Sequence, residues 1–132
     1  MKNILFLLIA FSSFSLLGQK SKNGTVYREH PGLSLIEVFN DALVNGDFDK
    51  AASLLEDDFK IRNGVGTNKD FKGWSKTQFM NNMKWWHSNF DYFSIEKDLP
   101  AYPDVIEYKQ GNQTWVQTWE RIYAVNKNNG VK

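Results

Sequence analysis

SLIEVFNDALVNGDFDKAASLLEDDFKIR, residues 34–62, decides the fold class. Ser34 stands three residues before Glu37, the spacing of a capping box in which each side chain satisfies an exposed backbone N–H at a helix start. Ile36, Phe39, Ala42 and Leu43 follow at helical spacing and make one apolar face. Asn45-Gly46 stops the helix, because glycine takes the left-handed cap without steric cost. Asp47 is placed to cap a second helix with Phe48, Ala51, Leu54 and Leu55 on one side. Phe59 and Ile61 then alternate with Lys60 and Arg62 as in a half-buried strand, ended by Asn63-Gly64-Val65-Gly66. Two short helices and a strand in so few residues predict an α+β domain.

The same reading extends outward. A Gly, Asn and Lys-rich loop runs to about Gly73, and Ser75 with Gln78 forms a second capping box opening a helix through about His87. Phe79, Met83 and Trp86 share its apolar face. Beyond it the period changes to two, over 92–96 and again over 104–109, with Pro100 and Pro103 between. Gln110-Gly111-Asn112 turns the chain into its longest predicted strand, 114–126. Asn128-Asn129-Gly130 has the chemistry of another hairpin turn. A long strand with no returning partner offers unpaired backbone to another segment. Two explanations stand, a chain shorter than its natural fold or a strand supplied by a neighbour, and the first is preferred.

Upstream, Lys2 precedes an apolar run over Ile4 to Phe11 that weakens through Ser12, Ser13 and Ser15 and ends at Gly18-Gln19. Residues 1–18 read as a secretory signal. A membrane anchor, which needs about twenty apolar residues, is the alternative. Residues 19–33 are polar without a helical or alternating period and read as a lead-in segment; 34–132 form the domain. The predicted destination is exported, periplasmic or extracellular, with no stable membrane anchor after cleavage. The chain has no cysteine, which excludes disulfides and a lipid-modified cysteine.

Of 16 basic side chains only Lys2 lies in the signal, which leaves the mature chain balanced against its 15 acids. No Lys and Arg cluster stands out, and nucleic acid is therefore an improbable partner. Two distant histidines and no cysteine provide no local ligand pair, so no metal is expected, and no motif implies a cofactor. No internal repeat and no nucleophile elbow is visible.

The order helix, helix, strand, helix, antiparallel sheet resembles the nuclear transport factor 2-like (NTF2-like) superfamily, in particular its SnoaL-like branch. The residues that carry the resemblance are Ala42-Leu43-Val44-Asn45-Gly46-Asp47-Phe48-Asp49 and Leu54-Leu55-Glu56-Asp57-Asp58-Phe59. They continue with Trp85-Trp86, Asn89-Phe90-Asp91, Tyr102-Pro103-Asp104, Glu107-Tyr108 and Trp115-Val116-Gln117-Thr118-Trp119-Glu120. The resemblance implies a cone in which a strongly curved sheet wraps three helices around an apolar pocket, with final strands missing here. It implies a range of functions, from isomerases and cyclases to binding and dimerisation modules. The ketosteroid-isomerase triad does not carry over: the base position falls on Asn63, an amide, and the first helix offers Phe39 in place of a tyrosine.

Alternation on the last long strand puts Trp115, Gln117, Trp119, Arg121 and Tyr123 on one face. Asp104, Ile106 and Tyr108 share a face on the strand before it. Trp86, Asp104, Tyr108, Trp115, Gln117 and Trp119 are thus the candidate ligand-binding residues, with core or interface packing as the competing role for each aromatic. Asp104, Tyr108 and His87 are the candidate catalytic groups. Asp104 also suits a turn cap after Pro103, and His87 suits a helix C-terminus. Three functions follow: an exported domain holding a small apolar or aromatic molecule, which is preferred; a cyclase- or isomerase-type enzyme using a carboxylate; and a homodimer through the sheet with a vestigial pocket.

Overall fold

The computed structural model describes residues 22–62 and 72–132. The signal assigned to 1–18 and most of the loop after residue 62, Asn63 included, lie outside them. Among the described residues the architecture is α+β, three helices with antiparallel strand pairs.

Within the lead-in segment assigned to 19–33, the described residues 22–33 are more structured than the sequence implies. Gly24–Tyr27 forms β1, paired antiparallel with β5 (Asp104–Tyr108). Four residues without apolar alternation became a strand because a partner edge was available, a long-range effect no local pattern carries. Helix α1, Pro31–Val44, begins three residues before the predicted box. Pro31 presets the helical φ, and His30 is the cap, its Nδ1 accepting the Gly32 N–H at 2.9 Å. Glu37 is turned to a tertiary partner instead, Lys97 Nζ at 2.7 Å.

The far end of α1 follows the sequence. Asp47 N–H bonds Ala42 O at 2.8 Å and Gly46 N–H bonds Leu43 O at 3.2 Å, with Gly46 at φ +71°, a Schellman close. Asp47 caps α2 (Phe48–Ser53) by accepting the Lys50 N–H. Strand β2 is short, Lys60–Ile61, and pairs with β3, Trp74–Ser75. Ser75 and Gln78 make the full capping box of α3, Lys76–Asn89.

The main apolar core sits among the helices. Ala42, Ala51, Phe79 and Met80 are buried, and Phe39, Leu43, Phe48, Leu55, Phe59 and Met83 pack around them. Two alanines at the α1–α2 crossing let the backbones approach, and Phe79 fills the space between Phe39 and Phe59, ring centroids 6.3 and 5.6 Å away.

The predicted single strand over 114–126 is two: β6, Gln113–Gln117, on β5, and β7, Glu120–Asn126, on β4 (Phe90–Lys97). Read together, β4 and β5 form one arm of a hairpin and β6 and β7 the other, turned at Gly111 and Asn112, both at positive φ. Lys97 pairs with Glu120 and Asp104 with Gln117, so residues 98–103 stand opposite only Thr118 and Trp119. That excess cannot stay in the ladder, and the chain bulges through a cis Leu99–Pro100 bond, with Asp98 N–H still reaching Trp119 O at 2.9 Å.

Candidate functional site

Helix α3 runs directly into β4, so Trp86 and Phe90 fall one helical turn apart and their rings meet at 4.4 Å. Trp85 stands edge-on to Trp86 at 5.7 Å. Beside this aromatic corner lies a cavity of about 830 Å³, completed by Ser94 and Glu96 of β4, by Ile122, Tyr123, Ala124 and Val125 of β7, and by Lys132. Four consecutive β7 residues line it. Because side chains alternate across a sheet, the cavity must run along the strand's edge rather than over one face.

Polar groups are few. Ser94 Oγ donates to Glu96 Oε1 at 2.7 Å, which holds the carboxylate on the strand. Lys132 is the other charged residue of the lining. Next to the cavity, Arg121 is pinned by Asp98 Oδ1 at 2.7 Å, and its pKa is raised, first by a hydrogen bond with Tyr123 and then by the charge of Asp98. The lining offers an apolar body with two charged residues and one hydroxyl–carboxylate pair, Ser94 and Glu96, a set suited to holding a molecule.

Of the candidate ligand-binding and catalytic residues, Trp86 alone lines this cavity, joined by Tyr123 from the row that alternation grouped on the long strand. Trp119 borders a small separate hollow with Leu33, Ile36 and Pro103, on the side of α1. Asp104 pairs with Gln117, Ile106 with Trp115 and Tyr108 with Gln113, so Asp104, Tyr108, Trp115 and Gln117 do share a sheet face. That face is turned away from α1. The opposite one carries Val105, fully buried, and Val116, whose Cγ2 would lie 3.0 Å from a Cβ on Gly32. Trp115 is accordingly 56% exposed. The break at Thr118 and Trp119 is the reason that Trp119 leaves the row to which simple alternation assigned it.

Asp104 Oδ1 is buried without a hydrogen-bond partner. His87 packs edge-on against Phe48, centroids 5.5 Å apart, over the α1–α2 turn. Neither these two nor Tyr108 lines the large cavity. Among the described residues no three His, Cys, Asp or Glu side chains gather as a metal site, and no helix is long and apolar enough to cross a membrane.

A second polar group lies on the α1 side of the β1–β5 pair. His30 Nδ1 accepts from Gly32, so Nε2 carries the proton and donates to Glu107 Oε1 at 3.3 Å. Tyr27 lies by the same carboxylate, and its pKa is raised, first by hydrogen bonding to Glu107 and then by the Glu107 charge.

Sequence reading missed Phe90, Ser94, Glu96 and the β7 lining other than Tyr123. The i, i+4 spacing of Trp86 and Phe90 was the available signal, hidden because it spans a helix-to-strand junction. Comparison of the chain with known protein families, with curated proteins and with solved structures found no match.

Proposed function

We propose that this chain is an exported NTF2-like, SnoaL-like domain that binds a small apolar or aromatic molecule. In this reading the helices and the bent β4–β7 hairpin are the wall and mouth of a cone, and the ligand lies along β7 against Trp86 and Phe90. The observation that carries it is the 830 Å³ cavity with its close, tilted Trp86–Phe90 ring pair and sparse polar lining. A volume of that size suits a small organic ligand, and apolar walls with a few fixed polar groups are the usual construction of such sites. Aromatic rings offer the flat surface, while Glu96 and Lys132 orient a polar end.

The test is titration of the protein with 8-anilinonaphthalene-1-sulfonate and with indole, following tryptophan emission and melting temperature. Saturable binding that Trp86→Ala weakens at least tenfold supports the reading. No change in emission or melting with any member of an apolar and aromatic metabolite panel would remove it.

The carboxylate-based enzyme is the second reading, favoured by one observation, the buried and unpartnered oxygen of Asp104. It ranks lower because Asp104 and Tyr108, though on one sheet face, stand four residues apart along β5, and His87 packs elsewhere, against Phe48 and Gly46.

A further inference from the structure

The first turn of α1 is a weak piece of helix with an alternative close by. Pro31 presets φ but offers no N–H, and Gly32 is a poor helix former. Two bonds fasten the turn, Gly32 N–H to His30 Nδ1 at 2.9 Å and Leu33 N–H to His30 O at 3.0 Å. One turn further on, Ser34 and Glu37 have the spacing of a capping box that the folded chain leaves unused, because Glu37 accepts from Lys97. Leu33 and Val38 flank that box where a hydrophobic staple places its two apolar residues. The segment thus holds two complete helix starts, and only one can be occupied at a time.

The occupied start depends on a lone pair. Nδ1 of His30 accepts the Gly32 N–H only while it carries no proton, and Nε2 donates to Glu107 Oε1 at 3.3 Å. A second proton makes both ring nitrogens donors. The bond to Glu107 becomes charge-assisted and strengthens, while Nδ1–H and Gly32 N–H are left pointing at each other. The helix dipole also opposes a positive charge at this end. Glu107 is fixed in β5, so the ring stays and the turn gives way. Tyr27 of β1 lies beside the imidazole, ring centroids 5.7 Å apart, and Arg28, Glu29, Glu37 and Lys97 border with it a hollow of about 710 Å³. Glu29 and Glu37 favour the added proton, Arg28 and Lys97 oppose it, and Glu107 in direct contact decides the balance. Unwinding residues 31–33 disturbs little, since Pro31 and Ser34 are exposed and Leu33 keeps Val38 as an apolar neighbour. The Glu37–Lys97 pair, both side chains 56% exposed, is a surface ion pair and weak. We propose that α1 has two starts selected by pH: it begins at Pro31 while His30 is neutral and after Ser34, with Lys97 released from Glu37, once His30 is protonated.

Imidazoles in general change charge between about pH 5 and pH 8, and carboxylates below that range, so the test spans this window. In the full chain without added ligand, the Cα and carbonyl NMR shifts of Pro31, Gly32 and Leu33 should be helical at about pH 8 and lose that character at about pH 5. Those of Phe39 to Leu43 should stay helical throughout. The change should share its midpoint with the ring shifts of His30 and not with those of His87. His30→Asn, whose amide oxygen caps at every pH, should hold residues 31–33 helical across the window. Should that variant fold poorly, His30→Ser provides the same cap and the same expectation. Ser34→Ala removes the second start and should lower the midpoint by about half a pH unit or more, the equivalent of a lost cap. Shifts at 31–33 that stay helical at both ends of the window overturn the inference. So does a transition that follows His87, one that His30→Asn or His30→Ser retains, or a midpoint that Ser34→Ala leaves in place. Each of these results leaves the ligand-binding proposal standing, because no ligand is present and the cavity beside Trp86 is not involved.

Discussion

The imidazole of His87 lies so close over Gly46 that a Cβ at position 46 would meet its Nε2 at 2.9 Å. The ring is held there edge-on to Phe48. His87 is therefore a packing element between the end of α3 and the α1–α2 turn, which accounts for its position better than the catalytic role weighed from sequence.

Gly46→Ala should destabilise the fold by about 1–2 kcal/mol, because a side chain is forced to positive φ. The His87 contact adds to that cost. Urea unfolding of Gly46→Ala, His87→Ala and the double variant checks this, with the double variant less destabilised than the sum of the two. Strict additivity would show that the contact carries no energy.

Phe79 is the side chain that ties α1, α3 and the chain after α2 together. Its replacement by alanine should cost about 3–5 kcal/mol, the range for an aromatic lost from a core. Ser75→Ala should cost about 1 kcal/mol by opening the α3 capping box. Thermal and urea unfolding should rank the two in that order.

Tyr27 should titrate above the ordinary phenol range, and Glu107→Gln should bring it back down, read by phenolate absorbance near 295 nm. Since the folded-state value is raised, the contribution to stability is complete below about pH 10, the unfolded value. It is lost as pH climbs through the folded value. An alkaline titration of Tyr27 indifferent to Glu107→Gln would show that the hydroxyl and the carboxylate do not interact.

Asp104→Asn should leave stability unchanged or raise it, because a buried carboxylate oxygen without a donor is costlier than an amide oxygen in the same place. A loss of more than about 1 kcal/mol on urea unfolding would mean that the carboxylate has a partner, since breaking a hydrogen bond to a charged group costs that much.

The α2 and α3 caps, the Gly46 stop, the apolar faces around Ala42, Ala51 and Phe79, and the Gly111 turn were all legible, since each depends on residues within a few positions of one another. β1 was not, because a strand with little pattern of its own needs the edge of β5. Nor was the true start of α1, where His30 and Pro31 displaced a sound capping box once Glu37 found Lys97. The greater loss was in the candidate site. Alternation correctly grouped Asp104, Tyr108, Trp115 and Gln117, but period two says only which residues share a face, never which face is covered. That choice was made when α1 packed on Val105 and Val116. Helix ends, turns and face membership were thus determined by the sequence itself, through local sterics and hydrogen bonding. The side that became interior, and the break that divides the long strand between β5 and β4, were decided only when distant segments competed to bury the same surfaces.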